Sequence, residues 1–200
     1  MFVLTIDQRR SRADEDRVPL LLAQLEPIPV ASPFVRTAGD EIQGVITDPE
    51  GVVVIIDKLL RSGKWRCGIG AGAGELFFAK DAPDSRSGRG DAFVLAREAL
   101  ESVKHSRHSI ALRSRVEEPA SEGEALIHLM EALSASRTRR QWEIIEAVEA
   151  RETMSEAAQY LGVSPSAVSQ VYAQSARREQ RACYGLLRRL LSQCDPKENG

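Results

Sequence analysis

Two hundred residues, 42% hydrophobic and 28% charged, supply enough apolar material for one large domain or two small ones. The formal net charge of −2 hides an asymmetry: residues 136–194 carry nine arginines against six glutamates, whereas residues 1–135 carry 17 basic against 21 acidic residues. A mildly basic C-terminal part on an acidic N-terminal part suits a nucleic-acid-binding module joined to something else, and it excludes tight binding of polyanions by bulk charge alone.

Residues 2–7, FVLTID, predict a first strand that ends in a carboxylate. The run has no signal-peptide layout, and no segment is apolar for long enough to span a membrane, so the expected setting is the cytoplasm. Asp14, Glu15 and Asp16 precede VPLLLAQL, where a helix dipole favours acids. Residues 34–47 read as two strands around Gly39-Asp40, a hairpin turn signal. Asp48-Pro49 offers a cap and a first-turn proline for a helix at about 50–61. Val52, Ile56, Leu59 and Leu60 share one of its faces, and Gly63 ends it. Residues 65–76 predict a strand, 90–103 a helix with Phe93, Ala96, Leu100 and Val103 inward, and 109–115 a last strand. The order βαββαβ, then helix and strand, specifies an α+β, ferredoxin-like domain over residues 1–116, with helices on one face of the sheet.

Three features of this domain have chemical readings. Asp7 ends the first strand and Asp40 sits in the hairpin turn beside Glu41, so the two aspartates can converge as hard oxygen ligands for Mg²⁺ bound to a phosphate. The plain alternative is a strand-end aspartate and a turn aspartate with no joint role. Gly68, Gly70, Gly72 and Gly74 alternate by two and bare one face of a strand, which favours close helix packing over phosphate binding. Gln8-Arg9-Arg10-Ser11-Arg12 is a basic run for phosphates or an acidic partner, or a solvated loop. Cys67, Cys183 and Cys194 are far apart with no CxxC and read as reduced thiols. His105 and His108 read as a solvated helix end.

Residues 115–124, RVEEPASEGE, read as a linker, and 125–133 begin a connecting helix; linker and helix together fill 117–136. Residues 138–150 carry Trp142, Ile145 and Val148 on one face. The stretch 153–176, TMSEAAQYLGVSPSAVSQVYAQSA, predicts a helix-turn-helix, the element that places a short helix in the DNA major groove. Thr153 and Glu156 have capping-box spacing. Ala158 is small where two helices would cross, and Gly162 can take positive φ in the turn. Ser164 caps a second helix with Pro165 at its first position. Val168 and Val171 face inward. Ser164, Ser166, Ala167, Ser169 and Gln170 then face bases and phosphates, with Arg177, Arg178 and Arg181 following for the backbone; Arg137, Arg139 and Arg140 offer further phosphate contacts or a solvated face. YGLLRRLL, 184–191, is an amphipathic end that covers its own core or pairs with a second copy. The domain is drawn at 137–194, with 195–200 as a disordered tail.

The motifs also carry a resemblance. Arg36-Thr37-Ala38-Gly39-Asp40-Glu41-Ile42 resembles the class III nucleotide-cyclase hairpin motif, lysine-x-x-glycine-aspartate. Asp7 and Asp40 match its two metal aspartates, Arg66-Cys67-Gly68-Ile69-Gly70 resembles its next strand, and Gly90-Asp91-Ala92-Phe93 resembles the start of a catalytic helix. By that resemblance Arg36 stands at the base-recognising lysine, Val94 at a ribose-contacting asparagine and Glu98 near a transition-state arginine, which argues against an active cyclase. The whole chain is similar to the SatD family, which joins such a domain to a helix-turn-helix and is often labelled a transcriptional regulator. Ile6-Asp7-Gln8-Arg9, Asp16-Arg17-Val18-Pro19, residues 38–44 (AGDEIQG), Ala92-Phe93 and Ala96-Arg97-Glu98-Ala99 carry that likeness.

The expected function is a sequence-specific DNA-binding transcriptional regulator, a homodimer by the habit of helix-turn-helix proteins. Its N-terminal domain senses a ligand, with Mg²⁺ and a nucleotide effector at Asp7 and Asp40 and further ligand contacts from Arg9, Arg36 and Glu41, or mediates dimerisation. The alternative is a nucleotidyl-transfer or cyclase-like enzyme with a DNA-targeting domain.

Overall fold

The computed structural model describes residues 1–10, 14–79 and 82–195. The chain divides into two compact units, Met1–Glu131 with Gly185–Gly200, and Ala132–Tyr184.

The first unit is α+β, built on a mixed five-stranded sheet of order β2-β3-β1-β4-β7. Its strands are β1 (Phe2–Gln8), β2 (Ser32–Ala38), β3 (Glu41–Ile46), β4 (Trp65–Ala71) and β7 (Ile110–Ser114). β1 lies at the centre, antiparallel to β3 and β4, and only the β4–β7 pair is parallel. Phe2, Val3, Leu4 and Ile6 are all buried, and so is Thr5 between them, so burial runs unbroken rather than alternating. That pattern requires cover on both faces of the strand.

Helices α2 (Pro49–Ser62) and α3 (Asp91–Lys104) supply that cover from opposite sides. Ala92 and Ala96 of α3 pack with Val3 and Val45, on the face that Gly68 and Gly70 leave bare. Gly51 of α2 lies against Ile46, which points the other way from Val45. The expectation of helices on one face is therefore corrected. α2 starts as read: Asp48 accepts from the Glu50 N–H at 3.0 Å, and Gly63 closes it at φ 62°. α1 (Val18–Leu25) begins where the Asp16 carboxylate accepts the Val18 N–H at 3.0 Å.

Two further elements depart from expectation. A second sheet, the hairpin β5 (Glu75–Ala79) and β6 (Ala82–Arg89), falls where the sequence reads the tail of one strand and a loop. Helix α4 (Glu117–Ser136) occupies the stretch read as a linker. Its carboxylates satisfy the outer edge of β7: Glu124 accepts the Leu112 N–H at 2.8 Å and Glu131 the Ser109 N–H at 2.9 Å. His108 is no solvated helix end, for it stacks on His128 of α4 at 3.6 Å and bonds Glu131.

The second unit holds α5 (Arg139–Glu149), α6 (Met154–Leu161), α7 (Pro165–Gln174) and α8 (Arg177–Ala182). Ile144, Ile145, Ala147, Ala157, Ala158, Val168 and Tyr172 form its core, with Trp142 and Val148 against them. Thr138 and Gln141 form a reciprocal capping box at α5. Thr153 caps α6, but Glu156 reaches back to the Glu152 N–H rather than to Thr153. Helix α9 (Tyr184–Cys194) belongs to the first unit and buries Leu187, Leu190 and Leu191 there, so a single domain over 137–194 is corrected to one that ends at Tyr184. Residues 196–200, expected as a tail, lie outside the described residues.

Candidate functional sites

In the first unit, strand pairing brings the two aspartates together. Asp7 lies opposite Glu41 of β3 and Arg66 of β4. Gly39, at φ 57°, turns the chain so that Asp40 comes back over the end of β1, and the two carboxyl groups are within hydrogen-bonding reach. Burial and then the charge of Asp40 push the Asp7 pKa up to about 6, against the pull of Lys104 and Arg66. Asp40 Oδ2 is buried without a hydrogen-bond partner. A carboxylate held against its neighbour's charge, beside an orphaned buried oxygen, is a donor set that a divalent cation fits. Two protein oxygens leave the rest of an octahedral shell to water or phosphate. Among the described residues no third His, Cys, Asp or Glu completes a ligating cluster.

The flanking residues have distinct placements. Arg36 donates to the Gly39 carbonyl at 2.6 Å and to Asp16 at 2.7 Å, so its guanidinium braces the turn. Glu41 accepts from the Thr37 hydroxyl at 2.7 Å. Arg9 is half-buried, and its N–H donates to the Lys64 carbonyl at 2.8 Å. Ser11 and Arg12 lie outside the described residues.

A cleft runs along α3 and reaches Glu41, the neighbour of Asp40. One part, about 510 Å³, is lined by residues including Thr37, Glu41, Arg86, Arg97, Glu101 and Lys104. The adjoining part, about 390 Å³, shares Gln43, Arg86 and Arg97 and adds Gly88, Arg89, Phe93, Val94 and Glu98. Arg86 and Arg89 of β6 were missed because the polar stretch SRSGR carries no apolar alternation to mark it as a strand, whereas Arg97 lies on a helix that was read but without a role for that side chain.

In the second unit, Gly162 at φ 66° ends α6, and the Ser164 hydroxyl accepts the Ala167 N–H at 3.2 Å to begin α7. Ser164, Ser166, Ser169 and Gln170 are exposed, Ala167 is half-buried, and Val168 is fully buried beneath them. The Ser164 hydroxyl also lies 3.0 Å from that of Ser166. Arg178 is exposed beside the Tyr172 ring. Arg177 is not available for a phosphate: its side chain is 4% exposed and donates to Glu149 at 2.7 Å and to the Tyr184 hydroxyl at 2.9 Å. Arg137 is likewise buried, donating to the Ser175 carbonyl at 2.8 Å. Arg139 and Arg140 are exposed and pair with Glu143. The sequence reading passed over Tyr160, 69% exposed on α6, with the Arg151 guanidinium 3.6 Å above its ring.

A family model described as the SatD family matches residues 22–178. No curated protein and no solved structure matches the chain.

Proposed function

The chain belongs to the SatD family, and we propose that it is a sequence-specific DNA-binding regulator whose first unit senses a ligand. The carrying observation is the outer face of α7. It follows a left-handed glycine turn and a serine cap, and it presents Ser166, Ser169 and Gln170 to solvent over a buried Val168. In this reading α6 and α7 are a helix-turn-helix. Short uncharged donors and acceptors on such a helix suit base edges, and Gln suits adenine. Arg139, Arg140, Arg178 and Arg181 are exposed and available for phosphates, and the protein acts as a dimer on two half-sites.

The ferredoxin-like, nucleotide-cyclase-like reading of the first unit is kept as part of this proposal. The convergence of Asp7 and Asp40 supports a phosphate-bound divalent cation there. Salt-dependent binding to DNA from the gene's own upstream region, against random DNA, tests the whole, with and without nucleotides and Mg²⁺. Selective binding that a nucleotide shifts is expected; no selectivity in any condition sinks it. Ser169→Ala with Gln170→Ala should cost specific binding about tenfold or more and random DNA little. An equal loss on both removes the base-reading role.

A second reading, a nucleotidyl-transfer or cyclase-like enzyme, is favoured by the same aspartates. Against it, Val94 and Glu98, which line the cleft, stand by the resemblance at an amide donor and near a cationic donor of cyclases. Incubation with nucleoside triphosphates and Mn²⁺ decides: a product that disappears in Asp40→Asn revives it.

A further inference from the structure

We propose, resting on the DNA-binding reading of α7 above, that the outer face of this helix selects A·T base pairs in the major groove, with Gln170 on adenine and the Ala173 methyl against the methyl of thymine. The face follows from the core. Val168 is fully buried and Tyr172 nearly so. At about 100° per residue, Gln170 points almost directly away from Val168. Ser166 and Ala173, four residues before it and three after, share its face, with Ser169 and Gln174 at the sides. All five are exposed.

Side-chain length is graded across this face. Ser166, Ser169 and Ala173 are short, so they let the helix axis come close to the groove floor, while Gln170 and Gln174 reach further. From Ser166 to Ala173 the helix rises about 10 Å, against about 3.4 Å per base pair, so the face spans about three pairs. A glutamine amide matches adenine, donating to N7 while accepting from the N6 amine. A serine hydroxyl accommodates any base, and an alanine methyl packs on the thymine methyl.

Charge makes the choice against G·C. Guanine is most often read by an arginine or lysine forked on O6 and N7, and the cytosine amine by a carboxylate. The ten residues of α7, PSAVSQVYAQ, carry no charge of either sign. The arginines that follow are directed elsewhere. Arg177 is buried and donates to Glu149 at 2.7 Å, and Arg178 lies 5.6 Å from the ring of Tyr172, an inward residue. A G·C pair therefore meets no charged reader on this face, whereas an A·T pair meets an amide and a methyl.

Selection by the full chain from a duplex library with a randomised core tests this, followed by base analogues in the selected duplex. The expected motif has A·T pairs at the contacted positions. Gln170→Arg, at an exposed position, should convert one of them to G·C. In the selected duplex, 7-deazaadenine removes the N7 acceptor and should weaken the parent about fivefold or more, with no further loss in Gln170→Ala. Deoxyuridine removes the thymine methyl and should weaken the parent about fourfold, with no further loss in Ala173→Gly. A G·C motif, or a motif that Gln170→Arg leaves unchanged, overturns the assignment and leaves the DNA-binding reading standing. So does an A·T motif indifferent to both analogues, which places the preference in groove shape. If the library yields no motif, both readings fall.

Discussion

At the scale of single residues, Asp7 and Arg177 show how neighbours change what a charge is for. Asp7 has a folded-state pKa of about 6 against an ordinary 3.8, chiefly through burial and then the charge of Asp40. The native state therefore holds this proton more tightly than the unfolded chain. The associated stability is fully present below about pH 4, falls as pH rises towards 6, and stays lost above it. Asp7→Asn should flatten that window and leave the variant more stable than the parent at pH 8, with little difference at pH 4; urea titrations at the two pH values measure it. Parity at pH 8 would mean that water relieves the pair. Arg177 makes the opposite case. Arg177→Ala removes the shorter of two ion pairs to the largely buried Glu149, leaving it the Arg181 guanidinium at 3.9 Å, and also removes the bond to the Tyr184 hydroxyl, so it should cost about 3 kcal/mol of stability. Arg178→Ala, on the exposed neighbour, should stay within about 0.5 kcal/mol. Thermal unfolding of the two variants separates a structural arginine from a surface one. The sequence placed both arginines after a helix, but side-chain direction depends on where Glu149 returns from α5, and spacing does not carry that.

At the scale of elements, glycine was legible where it met a period and misleading where it did not. The alternation of Gly68 and Gly70 predicted close helix packing, and a Cβ added at those positions would meet the α3 backbone at 2.2 Å and 2.1 Å. Backbone cannot rotate aside as a side chain can, so Gly70→Ala should reach or exceed the upper end of overpacking costs, about 3 kcal/mol. The same substitution at exposed Gly185, where the nearest contact is the end of Arg188 at 3.9 Å, serves as the control. Equal urea midpoints for the two would show that α3 shifts freely. Pro119 and Gly123 suggested a linker, yet both belong in α4. Pro119 occupies its first turn, where no N–H is needed, and Gly123 gives Leu112 room, since a Cβ there would stand 2.9 Å from Leu112 Cδ2. Hairpin β5–β6 was illegible for another reason. Leu76 of β5 packs on the core, but β6 is seated by the Gln43–Ser85 bonds, and its polar run shows no hydrophobic period to announce it. Arg86 and Arg89 were hidden with it, while the Asp7–Asp40 pair was visible because strand end and turn both have local signatures.

At the scale of the whole chain, the second unit is an insertion. The first unit leaves off in α4 and resumes in α9, so its final helix is separated in sequence from the strand it completes. α9 is fastened there by its own chemistry: Leu187 and Leu190 approach Gly123, the Ser114 hydroxyl donates to the Cys194 carbonyl at 2.6 Å, and Arg188 pairs with Glu50 at 2.6 Å. Burying Leu187, Leu190 and Leu191 is worth on the order of 5 to 8 kcal/mol, comparable with the stability of an entire domain. A chain stopped after Tyr184 should therefore lose the fold of its first unit. The second unit should survive, because its core, from Ile144 to Tyr172, draws nothing from α9. The chain's two tryptophans report the units separately: Trp65 is buried on β4, and Trp142 packs against the second core. In a Trp142→Phe background the truncated chain should show the red-shifted emission of an exposed Trp65. In a Trp65→Phe background, emission from Trp142 should keep a cooperative thermal transition. A native Trp65 spectrum after truncation would mean that α9 caps a sheet already stable without it.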